Sequence, residues 1–179
     1  VVEGLQLGPN SPLLQHPTRR PQTREEDEQI ALVRMIFGPA RKGEPYTEPL
    51  PGLPRDLRFL AAVPNGGGRS AAQAGRFKAQ GVRRGYPDLI LDVARGGWHG
   101  LRLEFKPTDG PKPRPEQTGW LEELGAQGYC AASARGVDAA FALLLRYVQL
   151  SCSAVGPCED CAATLAQLPG VTLHGMVRP

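Results

Sequence analysis

The 179-residue sequence has no run of about 18 apolar residues, which excludes an apolar membrane-spanning helix. Its first residues lack the basic-then-apolar pattern of a secretory leader. Cysteine is scarce: of four, three crowd into Cys152–Cys161, which is not the layout of a secreted disulfide framework. These absences point to a cytoplasmic protein with no membrane partner. No internal repeat recurs at a fixed period. Strong net charge is missing too: a balance of +3 identifies no partner by itself. The distribution of charge is more informative than its sum. Arg69, Arg76, Lys78, Arg83 and Arg84 follow one another with no acid before Asp88, while four acids stand together at Glu25, Glu26, Asp27 and Glu28.

With 41% hydrophobic residues the chain can bury a real core. Residues 1–23 are proline-containing and aperiodic, and read as a flexible tail. From residue 24 the sequence predicts a helix to Phe37, capped by Thr23, with acids in its first turn and Ile30, Val33, Ile36 and Phe37 as its apolar stripe. Five prolines and three glycines make 38–54 a loop. A strand is expected at Leu57–Val63 and a helix at Ser70–Gln80, capped by Ser70. Two further strands, Asp88–Val93 and Leu101–Lys106, flank Gly96-Gly97. A helix at Glu116–Gln127 with Trp120 in the core, a strand at Tyr129–Arg135 and a helix at Val137–Leu150 complete the pattern. The order predicts a mixed α/β domain over 24–150 with an antiparallel hairpin at its centre, followed by a cysteine-containing extension at 151–179.

The hairpin carries the chemistry. Side chains alternate faces along a strand, so Leu101, Leu103 and Phe105 share one face while Arg102, Glu104 and Lys106 share the other. Folded about Gly96, pairs across the hairpin sum to 192, which sets Asp88 opposite Glu104. Opposed side chains have Cβ atoms about 4.5–5.5 Å apart, and like charges there repel. A divalent cation of the hard, oxygen-seeking kind, Mg²⁺ or Mn²⁺, would offset that repulsion. Lys106 points to the same side, where it could orient a water or stabilise charge on a phosphate oxygen. The alternative is a solvated charged face with no chemical task.

Four blocks in order resemble the VRR-NUC family of the PD-(D/E)XK nuclease superfamily: PNGGGRS (Pro64–Ser70), KAQGVRRGYPDLIL (Lys78–Leu91), GLRLEFK (Gly100–Lys106) and PEQTGWLEELGAQGY (Pro115–Tyr129). The resemblance implies a restriction-endonuclease-like αβββαβ core with a central mixed sheet, and metal-dependent cleavage of DNA. It implies Asp88 and Glu104 as metal ligands, Lys106 as the catalytic lysine and Gln117 as an active-site glutamine. It also implies an acid on the first helix. Glu28 is the choice here, with Glu25 and Glu26 behind it. Small members of the family imply a homodimer acting on branched DNA, such as a four-way (Holliday) junction or a flap. A module that binds branched nucleic acid without cutting it is the alternative function.

Beside such a site, Asn65, Arg69, Arg76, Lys78, Arg83 and Arg84 are candidates for phosphate contact. Gly66–Gly68 reads equally as a simple turn. In the extension, Cys158-x-x-Cys161 has zinc-ligand spacing, and Cys152 and His174 could complete a structural Zn²⁺ site. Three reduced thiols without a metal are the competing reading, and a disulfide between two of them is also open.

Overall fold

A computed structural model of the chain describes residues 25–64, 71–152 and 156–175. The expected tail at 1–23 with its Thr23 cap, the Ser70 cap, Asn65, Arg69 and the turn Gly66–Gly68 lie outside the described residues. Helix α1 (Glu25–Phe37) is followed by a 3₁₀ turn (Arg55–Phe59), β1 (Leu60–Ala62), α2 (Ala71–Ala79), β2 (Leu89–Leu91), β3 (Leu101–Lys106), α3 (Pro115–Ala126), β4 (Cys130–Arg135), α4 (Val137–Val148), α5 (Glu159–Ala166) and β5 (Val171–His174). None of the helices described is long and apolar enough to cross a membrane.

The strands form one mixed sheet in the order β1-β2-β3-β4-β5. Only β3 and β4 run parallel, joined by the crossover through α3; the other neighbours are antiparallel. The hairpin register is Leu89 with Leu103, Ile90 with Arg102 and Leu91 with Leu101. Every pair sums to 192, so Asp88 and Glu104 stand one step beyond the ladder, as the sequence predicts.

Parity along the strands sorts the two faces. Leu101, Leu103 and Phe105 align with Cys130, Ala132 and Ala134, and all six join the main core with Leu32, Ile36, Leu143, Leu144 and Tyr147 from α1 and α4. Arg102, Glu104 and Lys106 take the opposite face, where Gln117 of α3 meets Glu104. That face is not solvated: the three residues are between 0% and 7% exposed.

Several elements differ from expectation for local reasons. Leu57–Val63 is not one strand. Pro54, at φ −58°, opens a 3₁₀ turn by accepting the Leu57 N–H at 3.1 Å, and only Leu60–Ala62 pairs. On α1 the buried apolar residues are Leu32 and Ile36, while Ile30 is exposed. The cysteine-containing extension packs onto the same sheet and core. Helix α5 buries Cys161, Ala162 and Leu165 in the main core, and β5 adds a strand beside β4.

Candidate active site

Asp88 lies where the β2–β3 ladder stops. Its backbone carbonyl accepts the Val63 N–H at 2.8 Å, while its carboxylate Oδ2 accepts the Phe105 N–H at 3.1 Å. The side chain thus replaces the next rung of the ladder and is held beside β3. Glu104 is fully buried on β3. Its Oε1 receives Lys106 Nζ at 2.8 Å and the Gln117 amide. Gln117 is itself oriented, because its Oε1 accepts the Arg114 N–H at 2.9 Å at the start of α3. An amide gripped at both ends leaves only its N–H₂ for Glu104.

The N-terminus of α1 closes the group. Lys106 Nζ reaches Glu25 Oε1 at 3.1 Å and Oε2 at 3.2 Å. Carboxylate oxygens of Glu25, Asp88 and Glu104 all lie within 4.8 Å of one another. The expected first-helix ligand, Glu28, is elsewhere. Its carboxylate accepts the Thr108 N–H at 3.1 Å and the Thr108 hydroxyl at 3.1 Å, so it fastens α1 to the β3–α3 connection. The two residues are three apart and share a helix face. The one nearer the helix end reaches the sheet, and the one a turn later meets the loop beyond it.

Burial dominates the electrostatics. Desolvation, reinforced by the charge of Asp88, pushes Glu104 up to about 8 against the pull of Lys106. Burial also raises Asp88, opposed by Lys106 and the Phe105 N–H. For Lys106, burial alone would lower the ammonium, but the bonds and charges of Glu104 and Glu25 outweigh it and hold it above its ordinary value. Crowded carboxylates that ionise only at a cost are a ready site for a cation.

A divalent cation fits this donor set. Three carboxylates are hard oxygen donors. Glu104 Oε2 is buried with no hydrogen-bond partner, which costs free energy unless something occupies that lone pair. Glu25, Asp88 and Glu104 could hold the ion, with Lys106 beside them.

Four of the basic residues before Asp88 lie on α2 and on the loop that leads to β2. Arg76, Lys78, Arg83 and Arg84 are exposed. Arg84 lies 3.9 Å from Glu116 in an open ion pair, which contributes little. Trp120 is not core as expected. It is half-buried, donates its indole N–H to the Arg84 carbonyl at 3.2 Å and packs edge-on against Tyr86, with ring centroids 5.2 Å apart. It ties the Arg83-Arg84 loop to α3. His174 is also not where expected: it bonds Ser133 Oγ at 3.0 Å and is not among the clustered thiols of Cys152, Cys158 and Cys161.

No protein-family model matches the chain, and no curated protein does. Among solved structures, one described as a "VRR_NUC domain protein" superposes with a TM-score of 0.54 at 32% sequence identity, over 71% of this chain and 89% of its own.

Proposed function

The chain belongs to the VRR-NUC family, and from that premise we propose that it is a Mg²⁺- or Mn²⁺-dependent endonuclease that hydrolyses phosphodiester bonds in branched DNA. The observation that carries this reading is the cluster of the buried Glu104 with the half-buried Glu25 and Asp88 beside Lys106. Asp88 and Glu104 would hold the cation, with Glu25 in the place expected of Glu28. When bound, the cation supplies Lewis-acid chemistry at the scissile phosphate.

The chain's own groups do the rest. Glu104 and Glu25 keep Lys106 protonated. It therefore acts as a positioned cation and donor, aiming the attacking water and facing charge that develops on the phosphate oxygens. It does not serve as the general base. Gln117 keeps Glu104 in one rotamer. Arg76, Lys78, Arg83 and Arg84 hold the DNA backbone on the approach side, with Asn65 and Arg69 as further contacts. A homodimer would present two such sites for paired incisions at a junction.

The test is cleavage of end-labelled four-way junction, flap and plain duplex DNA by native protein and Asp88→Ala, with competition by duplex or mononucleotide and sedimentation of the same samples. Metal-dependent incision of branched DNA by a dimer, abolished in the variant and competed by duplex only, is expected. Equal binding by both proteins without incision in any metal would overturn the reading in favour of a binding module.

A further inference from the structure

We propose that Cys152, Cys158 and Cys161 bind a structural zinc ion that fastens the C-terminal helix and strand to the nuclease core. The site is separate from the carboxylate cluster and does not depend on the proposed cleavage activity.

The three sulfurs lie within 4.8 Å of one another. Tetrahedral coordination at a Zn–S distance of about 2.3 Å sets sulfurs about 3.8 Å apart, so the thiols are close to ligating separation without rearranging the backbone. All three are free. A disulfide would use two of them and leave one over, whereas a metal uses all three. Thiolates are soft donors, which select Zn²⁺ over the Mg²⁺ or Mn²⁺ suited to the carboxylates.

Local structure explains why the thiols meet. Cys158 is the N-cap of α5, and Cys161 follows three residues later on the same helix face. Cys152 comes four residues after the last residue of α4. The third wall is the β2–β3 turn. The Cys158 N–H donates to the Gly96 carbonyl at 3.0 Å, and a Cβ on Gly96 would lie 3.1 Å from the Cys161 Cβ. Gly96 also has φ +57°, so glycine serves both the turn and the close approach. An ion held by these three sulfurs joins the end of α4 to the start of α5 beside the turn.

The fourth position is open. The thiols line a cavity of about 420 Å³ that Arg146, Gln149 and Asp160 also border. His174, the ligand expected from sequence, is held by Ser133 on β5. A water entering from the cavity would complete the coordination.

The experiment is metal analysis of full-length protein purified without chelator, paired with Co²⁺ substitution. About one zinc per chain and intense thiolate-to-cobalt charge-transfer absorption are expected. Glu104→Gln keeps both. Cys158→Ser loses both, and Cys152→Ser, at an equally half-buried position outside α5, checks that the loss is not misfolding of that helix. Melting temperature should fall on zinc removal in the native protein and not in Cys152→Ser. Native protein without zinc that takes up no Co²⁺ would overturn the proposal. So would an intact mass two hydrogens light, marking a disulfide, or zinc that survives both cysteine substitutions.

Discussion

Glu104 concentrates the chemistry of the site in two oxygens. One is taken by Lys106 and Gln117, and the other is buried and unpartnered. Its raised titration has a definite consequence for stability. Unfolded, the carboxyl ionises near its ordinary value of 4.5; folded, it does so at about 8. Between those values the folded state binds more protons than the unfolded one, so stability is fullest at the acid end and falls as pH rises towards 8. Bound cation favours the ionised form and opposes the loss. The melting temperature in chelator should therefore decline across that window, and added Mg²⁺ should raise it more at pH 8 than at pH 6. The first-helix acids separate by the same logic. Glu25→Gln removes a partly exposed ligand, and cleavage should fall by about 10²-fold or more with stability within about 0.5 kcal/mol. Glu28→Gln weakens charged hydrogen bonds to Thr108 and should cost about 1–3 kcal/mol in denaturant unfolding while leaving more activity than Glu25→Gln. Family resemblance alone pointed to Gln117, whereas the sequence pattern made Asp88, Glu104 and Lys106 legible as a group, because period-two alternation and a glycine turn determine who faces whom. It could not choose among four consecutive acids, since that depends on where the end of β3 meets α1.

Elements explain how those residues are presented. Strand β3 and its pairing with β2 were readable from alternation, and α3 from its proline start and from Gly128, whose φ of +83° ends the helix. Elements whose identity comes from distant partners were harder. Val171–His174 does alternate, with Val171 and Leu173 against the core, but four residues gain strand character only by pairing with β4. Trp120 looked like core on its helix, yet its surroundings are the approach loop rather than the sheet. That loop is docked closely: Gly85 has φ +79°, and a Cβ there would lie 3.2 Å from the Glu116 carbonyl carbon. Gly85→Ala should thus displace the loop from the start of α3 and lower melting temperature and cleavage together. Arg83→Ala with Arg84→Ala should instead leave melting nearly unchanged, weaken DNA binding regardless of sequence, and reduce the slope of log affinity against log salt by up to about 2.

At the scale of the whole molecule, one sheet separates two kinds of interior. Its apolar face is covered by residues of α1, α4 and α5. The other buries Arg102, Glu104 and Lys106 beneath the side of α3 that carries Gln117. Arg102 is accommodated there by Asp92 at 3.0 Å and by the Tyr129 ring, 4.1 Å from its guanidinium carbon to the ring centroid. Burying three charged residues on one strand is expensive, and a sequence that only needed to fold would place apolar residues there. The cost is understandable if those charges act together on a substrate reached through the basic approach. The most direct test is single-turnover hydrolysis of branched DNA by native protein and Glu104→Gln, in Mg²⁺ and in chelator, with DNA binding measured on the same preparations. The account predicts cleavage by native protein in Mg²⁺ alone, lost by about 10²-fold or more in the variant while binding persists. Cleavage that survives chelator, or that Glu104→Gln performs at the native rate, would contradict it.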